Sequence, residues 1–357
     1  MSLGVLLVNF GEPDEPTLEK VTSYLERIFL QNAPLEAHAA EAALARTRQL
    51  ARERAPGLLE EYEEIGGSPL NAQAAAQADA FGRELRSRGI DASVYSAFQF
   101  TDPSIRRELD RARADGVTTV VAIPGYPMCG VSTTVAALRE LKAGLEAMGW
   151  DPRLISLSGW HHHPDYLGIW RDHVRAFMAD RSVDLGDPDT ILYFSVHGTP
   201  LKYLQGTNRY DRYVFEQCRD LAEALEAPRY AVGFQNHANR GIPWTQPENE
   251  DRIRELAEKT LVVVPISFMK EQSETLAELD HELTEFVEGL GKRMYRVPVP
   301  HDHPHLVPYL ADLLEDLLSP DPAASGALQP CRCHDCPGVW CTNGGRDLPP
   351  SPYVPGA

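Results

Sequence analysis

The stretch Thr190-Ile191-Leu192-Tyr193-Phe194-Ser195-Val196-His197-Gly198-Thr199-Pro200 decides the fold. It is an apolar, β-rich run with little alternation, the mark of a strand buried on both faces. Strands of that kind belong to parallel sheets whose connecting helices cover both sides. The run stops at His197, and ligands in such sheets bind beyond the C-terminal strand ends. His197 therefore stands where this architecture puts chemistry. A histidine that merely caps a turn is the structural alternative, and the position favours function.

Similar runs occur at 3–10, 92–98, 118–124, 153–157, 230–235, 261–268 and 293–297. Helical patterns alternate with them at 18–29, 73–88, 104–114, 134–147, 165–179, 209–224, 248–259 and 273–290. Alternation of this kind predicts an α/β fold with parallel sheets. Eight strands can form one large sheet. The restart of the pattern after Trp160 favours two four-stranded units instead, 1–160 and 161–318. Residues 36–64 read as an Ala/Arg/Glu-rich helical insertion that can form a lip over a cleft. From 319 to 357 Pro, Gly, Ala and Ser dominate, and this tail is expected to need a ligand to become ordered.

The chain has 357 residues, with 34 basic and 52 acidic side chains, a net charge of −18. Such acidity excludes the basic footprint of non-specific nucleic-acid binding. No run of 18 apolar residues predicts a membrane span. The first ten residues read as a strand, not a signal peptide, so a cytoplasmic protein is expected. GxGxxG after the first strand, GxxxxGK[ST], GxSxG and HExxH are absent, so dinucleotide, P-loop and hydrolase readings find no support.

Two candidates remain beyond the strand ends. One is His197. The other is the row Glu274, Glu278 and Glu282, spaced four apart so that the carboxylates stack along one helix face. A solvated acidic face is the bland reading of that row. A helix that follows a buried strand starts at the cleft, however, and inward carboxylates there can carry protons or hold a divalent cation. His197 facing Glu274 suits metal handling or acid–base work.

Taken together, these segments resemble the ferrochelatases. The resemblance rests on Val8-Asn9-Phe10-Gly11-Glu12-Pro13, on Tyr62-Glu63-Glu64-Ile65-Gly66-Gly67-Ser68-Pro69-Leu70 and on Tyr126-Pro127 with Ser132-Thr133-Thr134. It continues through Ser195 to Pro200, Gln235 with Pro243-Trp244, and Pro265-Ile266-Ser267-Phe268 leading into Ser273-Glu274-Thr275-Leu276-Ala277-Glu278. It covers roughly 3–318 and implies two Rossmann-like units with a porphyrin in the cleft between them. His197 then matches the active-site histidine and Glu274 its partner carboxylate, both toward the incoming Fe²⁺. Glu278 and Glu282 match the acidic line leading protons away. Phe10, Tyr62, Ser68, Tyr126, Gln235 and Trp244 would meet the porphyrin. The implied reaction inserts ferrous iron into protoporphyrin IX or coproporphyrin III, releases two protons and gives haem, with no nucleotide cofactor. Another tetrapyrrole chelatase, for cobalt or nickel, and a non-catalytic porphyrin or haem carrier are the alternatives. Two positions depart from animal-type members: Gln272 stands where they have a histidine, and Gln99 where a basic residue is common. The lip is polar, so stable membrane insertion is not expected, and transient association stays open. Oligomeric state is open too.

Four of the six cysteines, Cys331, Cys333, Cys336 and Cys341, fall in one short stretch, which suits a metal or cluster site. The spacing of Cys333, Cys336 and Cys341 resembles the C-terminal ligands of animal-type ferrochelatases, which implies a [2Fe-2S] cluster. Cys331 is the local fourth ligand and Cys129 the alternative. Structural zinc, with His334 as a further donor, also fits the pattern. Cys218 reads as a small buried residue. His161-His162-His163 and His301-Asp302-His303-Pro304-His305 read as surface loops or helix starts more readily than as metal sites.

Overall fold

The computed structural model describes residues 2–36, 40–206, 208–237, 241–331, 339–343, 348 and 351–353. The eight main strands are β1 (Leu3–Asn9), β2 (Ala92–Phe98), β3 (Thr119–Pro124), β4 (Arg153–Ser156), β5 (Thr190–His197), β6 (Tyr230–Gln235), β7 (Thr260–Pro265) and β8 (Arg293–Arg296). They form two four-stranded sheets, ordered β2-β1-β3-β4 and β6-β5-β7-β8. Every pairing within both sheets is parallel. The α/β expectation with two parallel four-stranded sheets therefore matches the structure.

The inner strands are the continuous apolar runs, and their burial explains them. Val5, Val8, Val121, Leu192, Phe194, Val262 and Val264 are all buried in a single core that runs through both sheets. Trp160, where the pattern restarts, is the joint. Its indole Nε1 donates to Pro124 O at 2.9 Å, and its ring meets Tyr166 edge-on at 5.2 Å. Tyr309 Oη donates to Trp160 O at 2.7 Å. Tyr309 belongs to helix Leu306–Leu318, which crosses back to pack on helix Leu70–Ser87.

In both sheets the chain leaves the central strand toward one side and returns to the other. The switch points lie between β1 and β3 and between β5 and β7, where α/β sheets bind ligands. The insertion forms helix Ala40–Glu64, packed on helix Leu18–Gln31 through Leu50, Leu58 and Tyr62 against Val21, Tyr24 and Phe29.

Two expectations change. β7 ends at Pro265, because turn bonds from Ile266 N to Val264 O and Phe268 N to Pro265 O replace the ladder. The helix expected over 273–290 is broken into Ser273–Leu276, a π-helical turn Glu278–Leu283 and Thr284–Gly289. The tail is docked where it is described: Leu328, Val339 and Cys341 are buried. Backbone bonds hold it there, from Ser158 N to Trp340 O at 2.8 Å and from Thr342 N to Gly159 O at 2.9 Å. Cys333, Cys336 and His334 lie outside the described residues. No helix among the described residues is long and apolar enough to cross a membrane.

Two stability outcomes are expected. Trp160→Ala costs about 3–5 kcal/mol in denaturant unfolding, because a fully packed ring is lost from the joint. Lys270 is buried, donates to Gln77 Oε1 at 2.7 Å, and burial pulls its ammonium down from 10.5 to about 7. Between those values the unfolded chain holds a proton that the folded chain releases, so stability climbs with pH across that window. Lys270→Met should raise stability below pH 7 by a few kcal/mol and flatten the climb, as read by unfolding at pH 6 and pH 10.

Candidate active site

The two switch points face one cavity of about 230 Å³. The loop after β1 supplies Phe10 and Glu12, and the loop after β3 supplies Tyr126. The end of β5 supplies His197. The segment after β6 supplies His237 and Trp244, and the segment after β7 supplies Glu274 and Glu278. The lip helix adds Arg54, Leu58 and Glu61.

His197 is held on three sides. Its N–H donates to Ser267 Oγ at 3.1 Å, and Tyr210 Oη donates to its carbonyl at 2.9 Å. Its ring Nδ1 lies 2.6 Å from Gly198 O. A carbonyl only accepts, so Nδ1 carries a proton and Nε2 is the ring atom turned toward Glu274. Gly198 is required here, since a Cβ would lie 1.8 Å from Asn236 Oδ1 and 2.8 Å from Gln235 O.

Glu274 lies opposite. Its Oε1 is 3.4 Å from His197 Nε2 and 3.0 Å from His237 Nε2. Its Oε2 accepts from Gln272 Nε2 at 2.6 Å. Burial works against its charge, but His197 and His237 outweigh burial and hold the carboxyl well below the usual range. Burial likewise disfavours charge on His237. Glu278 and Glu274 overcome it and raise the imidazole to about 9. Burial pushes Glu278 up to about 7, against the pull of His237.

Behind this wall lies a buried polar chain. Tyr193 Oη donates to Asn249 Oδ1 at 3.0 Å, Asn249 Nδ2 to Ser195 Oγ at 2.8 Å, and Ser195 Oγ to Gln235 Oε1 at 3.0 Å. The Gln235 amide then donates to Glu274 O at 3.0 Å and Glu278 Oε2 at 3.1 Å. Every member is paired, which is what makes such a network rigid.

Of the residues singled out from sequence, His197, Glu274, Glu278, Phe10, Tyr126 and Trp244 line the cavity. Four others are placed differently. Gln235 stands behind the wall and orients the carboxylates. Tyr62 is fully buried, and its phenol donates to Glu12 Oε1 at 3.0 Å instead of facing the cavity. Ser68 Oγ also turns onto Glu12. Both changes follow from a buried carboxylate that needs donors. Ser273 Oγ supplies a further one at 2.6 Å from the other half of the chain. Glu282 is exposed, because the π-turn bond from Glu282 N to Ala277 O breaks the stacking over Glu278.

Sequence reasoning missed His237 and Glu12. His237 lies two residues past the end of β6, the strand paired with β5, and that adjacency was the available signal. Among the described residues two groups have metal-ligating donors within 4.8 Å of one another: His197 with His237 and Glu274, and His162 with Glu216 and Asp220. The neighbouring His161 is buried, not on a surface loop, and its ring meets Asn343 Nδ2 of the tail at 3.2 Å. His163 caps helix Pro164–Arg181, in line with a helix-start role. Cys129 is buried beside Gly159, the residue whose carbonyl receives Thr342 N next to Cys341. Cys331 N donates to Val339 O at 2.7 Å.

The chain is similar to known proteins along most of its length. The family model described as Ferrochelatase matches residues 2–318. A ferrochelatase of Picosynechococcus is 32% identical over 337 residues, covering 91% of this chain and 85% of the relative. One of Thermosynechococcus vestitus is 32% identical over 332 residues, covering 89% and 83%. Among solved structures, SirB from Bacillus subtilis with Fe³⁺ aligns with a TM-score of 0.53 at 12% identity, covering 91% of this chain and 98% of that one. That likeness is one of fold. On the family match and the relatives' identity over nearly their whole length, this chain belongs to the ferrochelatase family, the enzymes that insert Fe²⁺ into a porphyrin in haem synthesis.

Proposed function

We propose that His197 and Glu274 carry the insertion of Fe²⁺ into a porphyrin seated in the cavity against Phe10, Tyr126 and Trp244. The observation that carries this reading is the pair itself: an imidazole with its Nε2 free of the backbone, 3.4 Å from a carboxylate, after neighbouring strands of one sheet and lining one cavity. Insertion exchanges two pyrrole protons for one Fe²⁺, so a base must act as the metal arrives. His197 Nε2 accepts a pyrrole proton. Glu274 offsets the positive charge that collects beside it. Glu278 on the cavity wall hands protons toward the surface, where Glu282 stands on the far side of the π-turn. Gln235 acts behind the wall by holding Glu274 and Glu278 in place, and Tyr62 and Ser68 hold the neighbouring Glu12.

Protoporphyrin IX and coproporphyrin III differ at their edges and not at the ring nitrogens, so this chemistry serves both. We place the reaction in the cytoplasm, since four closely spaced thiols suit a reducing compartment.

We also propose a [2Fe-2S] cluster held by Cys331, Cys333, Cys336 and Cys341, with Cys129 as the alternative to Cys331. The fit rests on the donor set, soft thiolates only, and on Cys129 and the Cys341 segment both lying beside Gly159. When bound, such a cluster supplies a one-electron redox centre and ties the tail to the body.

Two measurements check these assignments. In an anaerobic insertion assay with Fe²⁺ and each porphyrin, wild type should form haem. His197→Ala should lose about 100-fold or more in rate while still shifting the porphyrin Soret band. Haem formation by the variant at the wild-type rate would remove His197 from the mechanism. Iron and acid-labile sulfide should appear in equal amounts in the purified protein, with visible absorption lost in Cys341→Ser. Comparing Cys129→Ser with Cys331→Ser identifies the fourth ligand, and zinc without visible bands would replace the cluster by a structural zinc site.

A further inference from the structure

The carboxylate Oε1 of Glu274 faces two imidazoles, not one. It lies 3.4 Å from His197 Nε2 and 3.0 Å from His237 Nε2, and the two rings are 5.2 Å apart. A first-row divalent ion bonded at about 2.1 Å holds neighbouring donor atoms roughly 3.0 Å apart. Glu274 Oε1 thus lies at that spacing from both imidazole nitrogens, and one donor atom from each of the three residues lies within 4.8 Å of the others, which lets them share one ion. The donor types suit ferrous iron as well: imidazole and carboxylate bind it, and a two-histidine, one-carboxylate face leaves positions open for other ligands.

Two of the donors have an outer partner within hydrogen-bond distance, and the third has a carboxylate beside it. Gly198 O holds His197 Nδ1 at 2.6 Å. Gln272 holds the other oxygen of Glu274 at 2.6 Å. Glu278 Oε1 lies 4.0 Å from His237 Nδ1, the atom that must carry the proton when Nε2 is a ligand. Partners of this kind orient metal ligands and tune their strength. The edge of the Trp244 indole packs against the His237 ring, at 6.1 Å between centroids.

We propose that His237 is the third ligand to the incoming iron, so that His197, His237 and Glu274 hold Fe²⁺ on one face while the porphyrin nitrogens take it from the other. This deepens the iron-insertion reading and rests on it. His237 is a holding ligand: it sets how well the metal is captured before transfer, whereas the Nε2 of His197 takes a pyrrole proton once the iron has passed from it to the porphyrin nitrogens. Metal binding displaces the Nε2 proton of His237 to solvent, and no other bond at His237 is made or broken.

The test uses His237→Ala and His237→Gln in the full-length protein, under anaerobic conditions. The KM for Fe²⁺ should rise about ten-fold or more in both variants, with the KM for porphyrin unchanged. Titration with Co²⁺ in the absence of porphyrin should show the same weakening in the difference between wild-type and variant spectra. A His162→Ala background keeps His162, Glu216 and Asp220 out of that titration. Unchanged Fe²⁺ KM and Co²⁺ affinity would overturn the proposal, and so would an equal rise in the porphyrin KM, which would make His237 a wall residue. If wild type metallates neither porphyrin, the iron-insertion reading itself fails, a result distinct from normal metallation by wild type and variants alike.

Discussion

A buried carboxylate must find partners or lose its charge, and the whole cleft is arranged around that constraint at Glu274. Both of its oxygens are engaged: Oε1 with His197 and His237, Oε2 with Gln272. Removing any of these leaves charge in a poorly solvated place, which costs more than an ordinary hydrogen bond is worth. The groups therefore depend on one another. The chain from Tyr193 through Asn249, Ser195 and Gln235 transmits the rigidity of the second sheet to the two carboxylates.

The fold explains why this cluster can exist in a cavity at all. Parallel strands present several chain crossings at one edge, and each sheet reverses strand order beside its central strand. His197 ends β5, and the strands on either side lead into His237 and Glu274, so three different loops meet at one point. The first sheet faces it with Phe10, Glu12 and Tyr126. Glu12 binds the halves together, accepting from Tyr62 on one side and Ser273 on the other, directly beside Glu274. Burial raises its pKa, and the Ser273 and Ser68 hydroxyls hold that rise in check.

What was legible in the sequence was whatever depends on one segment. The apolar runs gave the strands, because burial on both faces leaves no polar position to confuse the pattern. His197 was legible as a strand end, and Glu274 as the start of a helix after a strand. The four-residue spacing of Glu278 and Glu282 was visible, but the π-turn that separates them, with Glu282 N bonded to Ala277 O, leaves no mark in that spacing. Tyr62 and Ser68 looked like cavity residues because nothing local says that Glu12, some fifty residues earlier, needs their hydroxyls. His237 was hidden for the same reason: its partners lie nearly forty residues ahead of it. The tail looked structureless by composition, and the strand edge that holds Trp340 is more than 180 residues away in sequence.

The central claim is that a charged Glu274 is required for metal transfer and not for building the cavity. Glu274→Gln keeps the shape and removes the charge. Porphyrin-loaded protein is mixed with Fe²⁺ anaerobically and followed through a single turnover. The account expects a wild-type Soret shift on porphyrin binding and metallation slowed by about 100-fold or more. Metallation by Glu274→Gln at close to the wild-type rate would contradict it.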